Sequence, residues 1–185
     1  METSLTWLGR LTGSPTEGDW KQLLDVYGPL LAGWLARSGV PATDRDDLVQ
    51  EVLMVVVRRV SEFDRRGPGA FRAWLRTILA NHLRKYFRDR PESGPAIDLD
   101  AVAAADSMLG RQWDREHDEH LAARALKLVE GDFAPPTWAA FCRQVLDGRA
   151  PPEVAAELGL SVNAVLLAKS RVLKRLRAEL PGLSE

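Results

Sequence analysis

With 185 residues, 45% of them hydrophobic and 28% charged, the chain is sized for one medium or two small globular domains and has no disordered or fibrous composition. Its net charge of −1 excludes a uniformly basic binder, so any contact with a polyanion has to come from local clustering. A single cysteine, Cys142, rules out an intrachain disulfide and fits a reducing compartment, and no apolar run approaches membrane length.

The opening METSLTWLGR lacks the basic-then-apolar pattern of a secretory signal, which points to a cytoplasmic protein. After a loop-like GSPTEGD, Trp20, Leu23, Leu24, Tyr27, Leu30, Leu31 and Trp34 recur every three or four residues. They predict an amphipathic helix that SGVPATD ends through Gly39 and Pro41. DRDDLVQEVLMVVVRRV predicts a second helix despite its β-branched valines. Asp44, Asp46 and Asp47 suit the positive end of its dipole. Asp47, Gln50, Glu51 and Met54 form a mixed stripe that runs beyond the first turn. It is open to two readings, helix-end electrostatics or a docking face for a protein helix.

FDRRGPG breaks this helix, and FRAWLRTILANHLRKYFRDR at residues 71–90 predicts the next. Phe71, Trp74, Leu75, Ile78, Leu79, Leu83 and Tyr86 share one apolar arc, while Arg76, Arg84 and Arg88 fall opposite with Phe87 among them. From Arg58 to Arg90 ten bases stand against three acids. A one-sided basic face with aromatics in it and at its margins fits unpaired nucleic acid, arginines tracking phosphates and rings stacking on bases. A solvated arginine face on a core helix is the plainer alternative. His82 falls inside the apolar arc, and a break near Asn81 would rephase everything after it.

RPESGPAIDLDAVAAADSMLG is rich in Pro, Gly, Asp and small residues, and it predicts a flexible linker and a domain boundary. From Pro91 to His120 eight acids stand against two bases. The sign is complementary to the basic patches, so the stretch could lie against them and mask them. WDREHDEHLAARALKLVEG resumes as helix, DFAPP stops it, and Thr137 is placed to cap a short helix over TWAAFCRQVLDGR.

PPEVAAELGLS puts Val154, Ala155 and Leu158 on one face, then Gly159 for a left-handed bend, with Ser161 set to cap the following helix. That is a helix-turn-helix layout, with the second helix over about 162–180. Val165, Val172, Leu173 and Leu176 would face the core and leave Lys169, Ser170, Arg171, Lys174 and Arg175 for DNA; an ordinary helical hairpin with a solvated basic tail is the alternative. Catalytic constellations are missing: there is no P-loop, G-x-S-x-G or GxGxxG. His117 and His120 have ligand spacing but no cysteine or histidine cluster beside them, so no metal or cofactor is expected. Cys142, beside Trp138 and Phe141, reads as buried and inert.

Together DRDDLVQEV, the FRAWLRTILANHLRKYFRDR segment, the acidic linker and the C-terminal helix-turn-helix resemble a bacterial RNA polymerase sigma factor of the sigma-70 family. The likeness is to the compact extracytoplasmic-function branch that keeps only regions 2 and 4, and it runs from about Trp20 to Leu180. The ending SVNAVLLAKSRVLKRLR is similar to members from planctomycete-type bacteria. The resemblance implies an all-α fold of two small helical domains: residues 1–90 as region 2, 91–112 as a flexible acidic linker and 113–185 as region 4. It implies core RNA polymerase and promoter DNA as partners, leaves room for an anti-sigma factor, and involves no enzymatic activity and no membrane.

It also implies roles. Asp47, Gln50 and Glu51, with Met54 on their stripe, would dock on the coiled coil of the polymerase's largest subunit. Asn81, His82, Leu83, Arg84, Lys85 and Tyr86 would capture a flipped base of the minus-ten non-template strand, with Arg76 and Arg88 on its backbone. Ser161, Asn163, Lys169, Ser170, Arg171, Lys174 and Arg175 belong to the helix that would read the minus-35 duplex. In many relatives that helix carries a basic residue, a hydroxyl and an arginine where this chain has Leu166, Leu167 and Ala168, which shifts recognition toward residues 169–174 or toward DNA shape. The rival is a stand-alone helix-turn-helix regulator, which has no need of a docking stripe beside an arginine-aromatic helix.

Overall fold

The computed structural model describes residues 15–63, 69–90, 92 and 94–179. The N-terminal METSLTWLGR, the core of the break at residues 64–68 and the expected helix end at Leu180 lie outside the described residues. Among the described residues all regular structure is helical.

Helix α1 (Glu17–Arg37) begins inside the segment that reads as a loop. Thr16 and Asp19 form a capping box: the Asp19 amide donates to Thr16 Oγ1 at 3.3 Å and the Thr16 amide to Asp19 Oδ2 at 2.9 Å. Helix α2 (Ala42–Arg59) runs into a 3₁₀ turn at Val60–Glu62, and α3 (Ala70–Arg88) follows. Leu31, Trp34 and Leu35 of α1, Val52 and Val56 of α2, and Leu75, Leu79 and Leu83 of α3 are sealed from solvent and make one core. The valine run works because its inward members pack while Val57 faces out.

The expected flexible linker at 91–112 is largely built into this first unit. The Ala96 amide donates to the Ser38 carbonyl at 2.9 Å. Ala96 rests on Gly39, where φ is 91° and a Cβ would come within 3.3 Å of the Ala96 Cβ, so glycine meets both demands. Helix α4 (Leu99–Ala103) is capped by the Asp98 carboxylate and buries Leu99 and Val102. Helix α5 (Met108–Glu130) then packs Trp113 edge-on to Trp34 with centroids 5.4 Å apart. The chain divides between Leu121 and Ala122, inside α5, and not within 91–112. Three apolar anchors, Leu99, Val102 and Trp113, order a stretch whose acids and small residues suggested disorder.

In the second unit α6 (Pro135–Phe141) starts on two prolines rather than at Thr137, because proline at the first positions of a helix sacrifices no hydrogen bond. A π turn at Cys142–Leu146 extends it. Helix α7 (Pro151–Leu158) ends at Gly159, whose φ is 64°, and α8 (Val162–Glu179) follows. One core cluster here is made of small residues, Ala140, Val154, Ala155, Val165 and Ala168, with Leu158 and Leu160 against it, and Phe141, Val129 and Val172 are buried in the same unit.

Candidate nucleic-acid interface

Helix α2 buries Leu48, Val49, Val52, Leu53 and Val56 and turns Asp47, Gln50, Glu51 and Met54 to solvent on the other side. Met54 is 48% exposed although apolar. Asp44, one turn earlier, is already engaged: it accepts the Tyr86 hydroxyl at 2.7 Å and lies 3.3 Å from Arg90. The Tyr86 bond, then Thr43 and Arg90, hold its carboxyl below the usual range. Among the described residues no such bond ties Asp47, Gln50 or Glu51. The stripe is therefore a free surface, beyond what helix-end electrostatics requires.

Helix α3 departs from expectation. Arg76 is only 3% exposed, and its guanidinium donates to Asp114 Oδ1 at 2.8 Å and to the Gly110 carbonyl at 3.3 Å. It is a buried arginine and not the expected surface one. Leu83 and Tyr86 are core residues, the Tyr86 hydroxyl donating to Asp44 and its ring lying under the Arg90 guanidinium. Phe87, expected on the basic face, is buried and packs edge-on to Tyr86 at 5.1 Å. Leu83 and Tyr86 are buried on the expected apolar arc, whereas Arg76 and Phe87 are buried because α3 is also covered by the segment of α4 and α5, where the periodicity implied one buried face.

Asn81, Lys85 and Arg88 remain exposed and Arg84 partly so. His82 is half-buried, with Nδ1 2.9 Å from the Ile78 carbonyl. Arg84 donates to Asn81 Oδ1 at 2.8 Å and pairs with Asp100 Oδ1 at 2.7 Å. Near the start of α3, Arg72 pairs with Asp118 Oδ2 at 2.6 Å. These acidic partners lie beyond the helix in sequence, and only the opposite charge balance of the two stretches signals them.

On α8, Ser161 Oγ accepts the Ala164 amide at 3.1 Å, the expected cap. Asn163, Lys169, Ser170, Arg171 and Lys174 are exposed on this helix, with Ser161 exposed at its start. Arg175 is not free, since its Nε donates to Asp132 Oδ2 at 2.8 Å. Leu166 and Leu167 stand out at 47% and 44% exposure, whereas Ala168 is buried and faces the core. Leu167 and Arg171 border a shallow, mostly apolar hollow with Pro136, Leu160 and Ala164.

His117 is buried against Tyr27 and Trp113, and burial, opposed by Asp118, holds its pKa below the ordinary value. His120 Nε2 is bonded to the Val26 carbonyl. The two rings are thus committed to separate contacts. Cys142 is half-buried rather than buried, and the partial burial pushes its thiol up.

The family model described as Sigma-70 region 2 matches residues 23–91. The RNA polymerase sigma factor CnrH of Cupriavidus metallidurans is 30% identical over 169 residues, covering 89% of this chain and 87% of that protein. The RNA polymerase sigma factor NccH of Alcaligenes xylosoxydans xylosoxydans is 30% identical over 165 residues, covering 88% and 84%. Among solved structures, that of CnrH in complex with the cytosolic domain of CnrY aligns over 95% of both chains at 27% identity, with a TM-score of 0.40.

Proposed function

This chain belongs to the sigma-70 family of RNA polymerase sigma factors, in its extracytoplasmic-function branch, and we propose that it divides that family's work among three of its surfaces. A sigma factor binds core RNA polymerase and directs transcription initiation at its promoters. Likeness to sigma factors over nearly nine-tenths of the chain leaves no room for a stand-alone regulator built only on the helix-turn-helix.

The first surface is the α2 stripe, with Asp47, Gln50 and Glu51 as polar contacts and Met54 as an apolar one for the core polymerase. Its support is a single observation: these side chains are exposed and unbonded on a helix whose other face is fully packed. The second surface is the open part of α3, where Asn81, His82, Arg84, Lys85 and Arg88 engage the minus-ten non-template strand while Arg76, Leu83 and Tyr86 hold the scaffold. The third is α8, where Asn163, Lys169, Ser170, Arg171 and Lys174 meet the minus-35 duplex, with Ser161 fixing the start of the helix and Arg175 its flank. Region 2 function then rests on residues up to Leu121, and region 4 function on those from Ala122.

The protein acts without catalysis of its own, in the cytoplasm, and among the described residues no helix is long and apolar enough to cross a membrane. An anti-sigma factor is a further partner, supported by the exposed Leu166 and Leu167, the latter bordering an apolar hollow. Kinship with planctomycete-type members rests on SVNAVLLAKSRVLKRLR alone. The test of the first surface is Asp47→Ala with Glu51→Ala, which should weaken core polymerase binding roughly tenfold or more with helix content intact. Unchanged affinity would remove the stripe from the interface.

A further inference from the structure

The acids at residues 98–118 meet the arginines of α3 in register: Asp100 on Arg84, Asp114 on Arg76 and Asp118 on Arg72. Apolar burial of Leu99, Val102 and Trp113 holds this segment in place, so the carboxylates are delivered and do not merely drift near. The ends of the series differ. Arg76 is sealed in, whereas the Arg84 and Asp100 side chains are 39% and 88% exposed. An ion pair at a solvated edge is weak and readily exchanged. Asn81, Lys85 and Arg88 lie on the same helix with their side chains open to solvent.

We propose that Asp100 is an internal stand-in for a nucleic-acid phosphate: in the free protein α4 occupies the site on Arg84 that a single-stranded DNA backbone takes, and the two compete. The inference rests on the assignment of Arg84, Lys85 and Arg88 to strand binding. A strand that brings several phosphates to Arg84, Lys85 and Arg88 together outbids one exposed carboxylate, while an isolated anion does not. The arrangement lowers the affinity of the free protein for stray single strands.

The test measures fluorescence anisotropy of a labelled single-stranded oligonucleotide with the full chain over a range of salt. Asp100→Ala is compared with Asp106→Ala, which removes the same charge from an exposed carboxylate not bonded to α3. Asp100→Ala is expected to bind more tightly at low salt and to lose that gain as salt rises, because screening weakens the Arg84–Asp100 pair that the parent has to break. Asp106→Ala should keep the original salt dependence, and Arg84→Ala added to Asp100→Ala should abolish the gain. Should Asp100→Ala perturb folding, Asp100→Asn, which keeps an uncharged partner for Arg84, is expected to give part of the gain. If the Asp100 and Asp106 variants behave alike while Lys85→Ala with Arg88→Ala weakens binding, the mask is wrong and the strand assignment stands. If none of Arg84, Lys85 or Arg88 affects binding, both fall.

Discussion

Arg76 and Asp114 lie 2.8 Å apart, joining the middle of α3 to α5 through a guanidinium that is 3% exposed. The pair ties a basic helix to the acidic segment that follows it, and it makes Arg76 part of the fold rather than of the exposed face of α3. Asp114→Ala leaves a buried charge with the Gly110 carbonyl as its main partner and should cost about 1.5–3 kcal/mol in chemical denaturation. Arg76→Met, similar in volume and uncharged, should cost less, because no charge is then buried alone. The opposite order, or a weaker salt dependence of single-strand binding in Arg76→Met, would return Arg76 to the DNA surface.

His117 makes stability depend on pH. Burial, the largest cause, holds its folded pKa below the unfolded value near 6.5, so between the two the unfolded chain binds more protons. Asp118 and Asp114 oppose the shift and Arg72 adds to it. The sign follows: the contribution is fully present above about pH 6.5 and is lost as pH falls toward the depressed folded value. Denaturation midpoints should decline over that window, and His117→Phe, which keeps a ring between Tyr27 and Trp113, should flatten the decline. An unchanged slope in the variant would assign it to other groups.

Gly159 closes α7 with φ of 64°, and a Cβ there would meet nothing within 4 Å. Gly159→Ala therefore isolates backbone strain and should destabilise the second unit by about 1–2 kcal/mol, with Gly159→Asn falling between. Thermal melts of the three proteins check the ranking, and an alanine variant as stable as the parent would mean that the turn relaxes.

Arg171 is exposed on α8 beside the apolar hollow. If it reads a base, Arg171→Ala should cost about 1–3 kcal/mol on duplex promoter DNA and relax preference at one position. An equal loss on every duplex sequence would make it a phosphate contact.

The helix-turn-helix was legible because its determinants are local: Gly159 turns the chain and Ser161 caps the next helix within a few residues. The α2 stripe was legible for a similar reason, since one face of a single helix decides it. Arg76 and Phe87 were misplaced because periodicity reports an apolar arc without saying how many partners cover the helix. The segment of Leu99 and Val102 read as linker because its anchors are few among acids and alanines. Only the opposite charge balance of residues 58–90 and 91–120 hinted that the two would meet. Which carboxylate meets which arginine is a long-range property that no local pattern carries.

Transcription from a genomic DNA library by core RNA polymerase, with and without this protein, tests the central claim most directly. Discrete start sites that appear only with the protein, sharing two upstream sequence elements, are the predicted result. No new starts from active core and well-folded protein would contradict it.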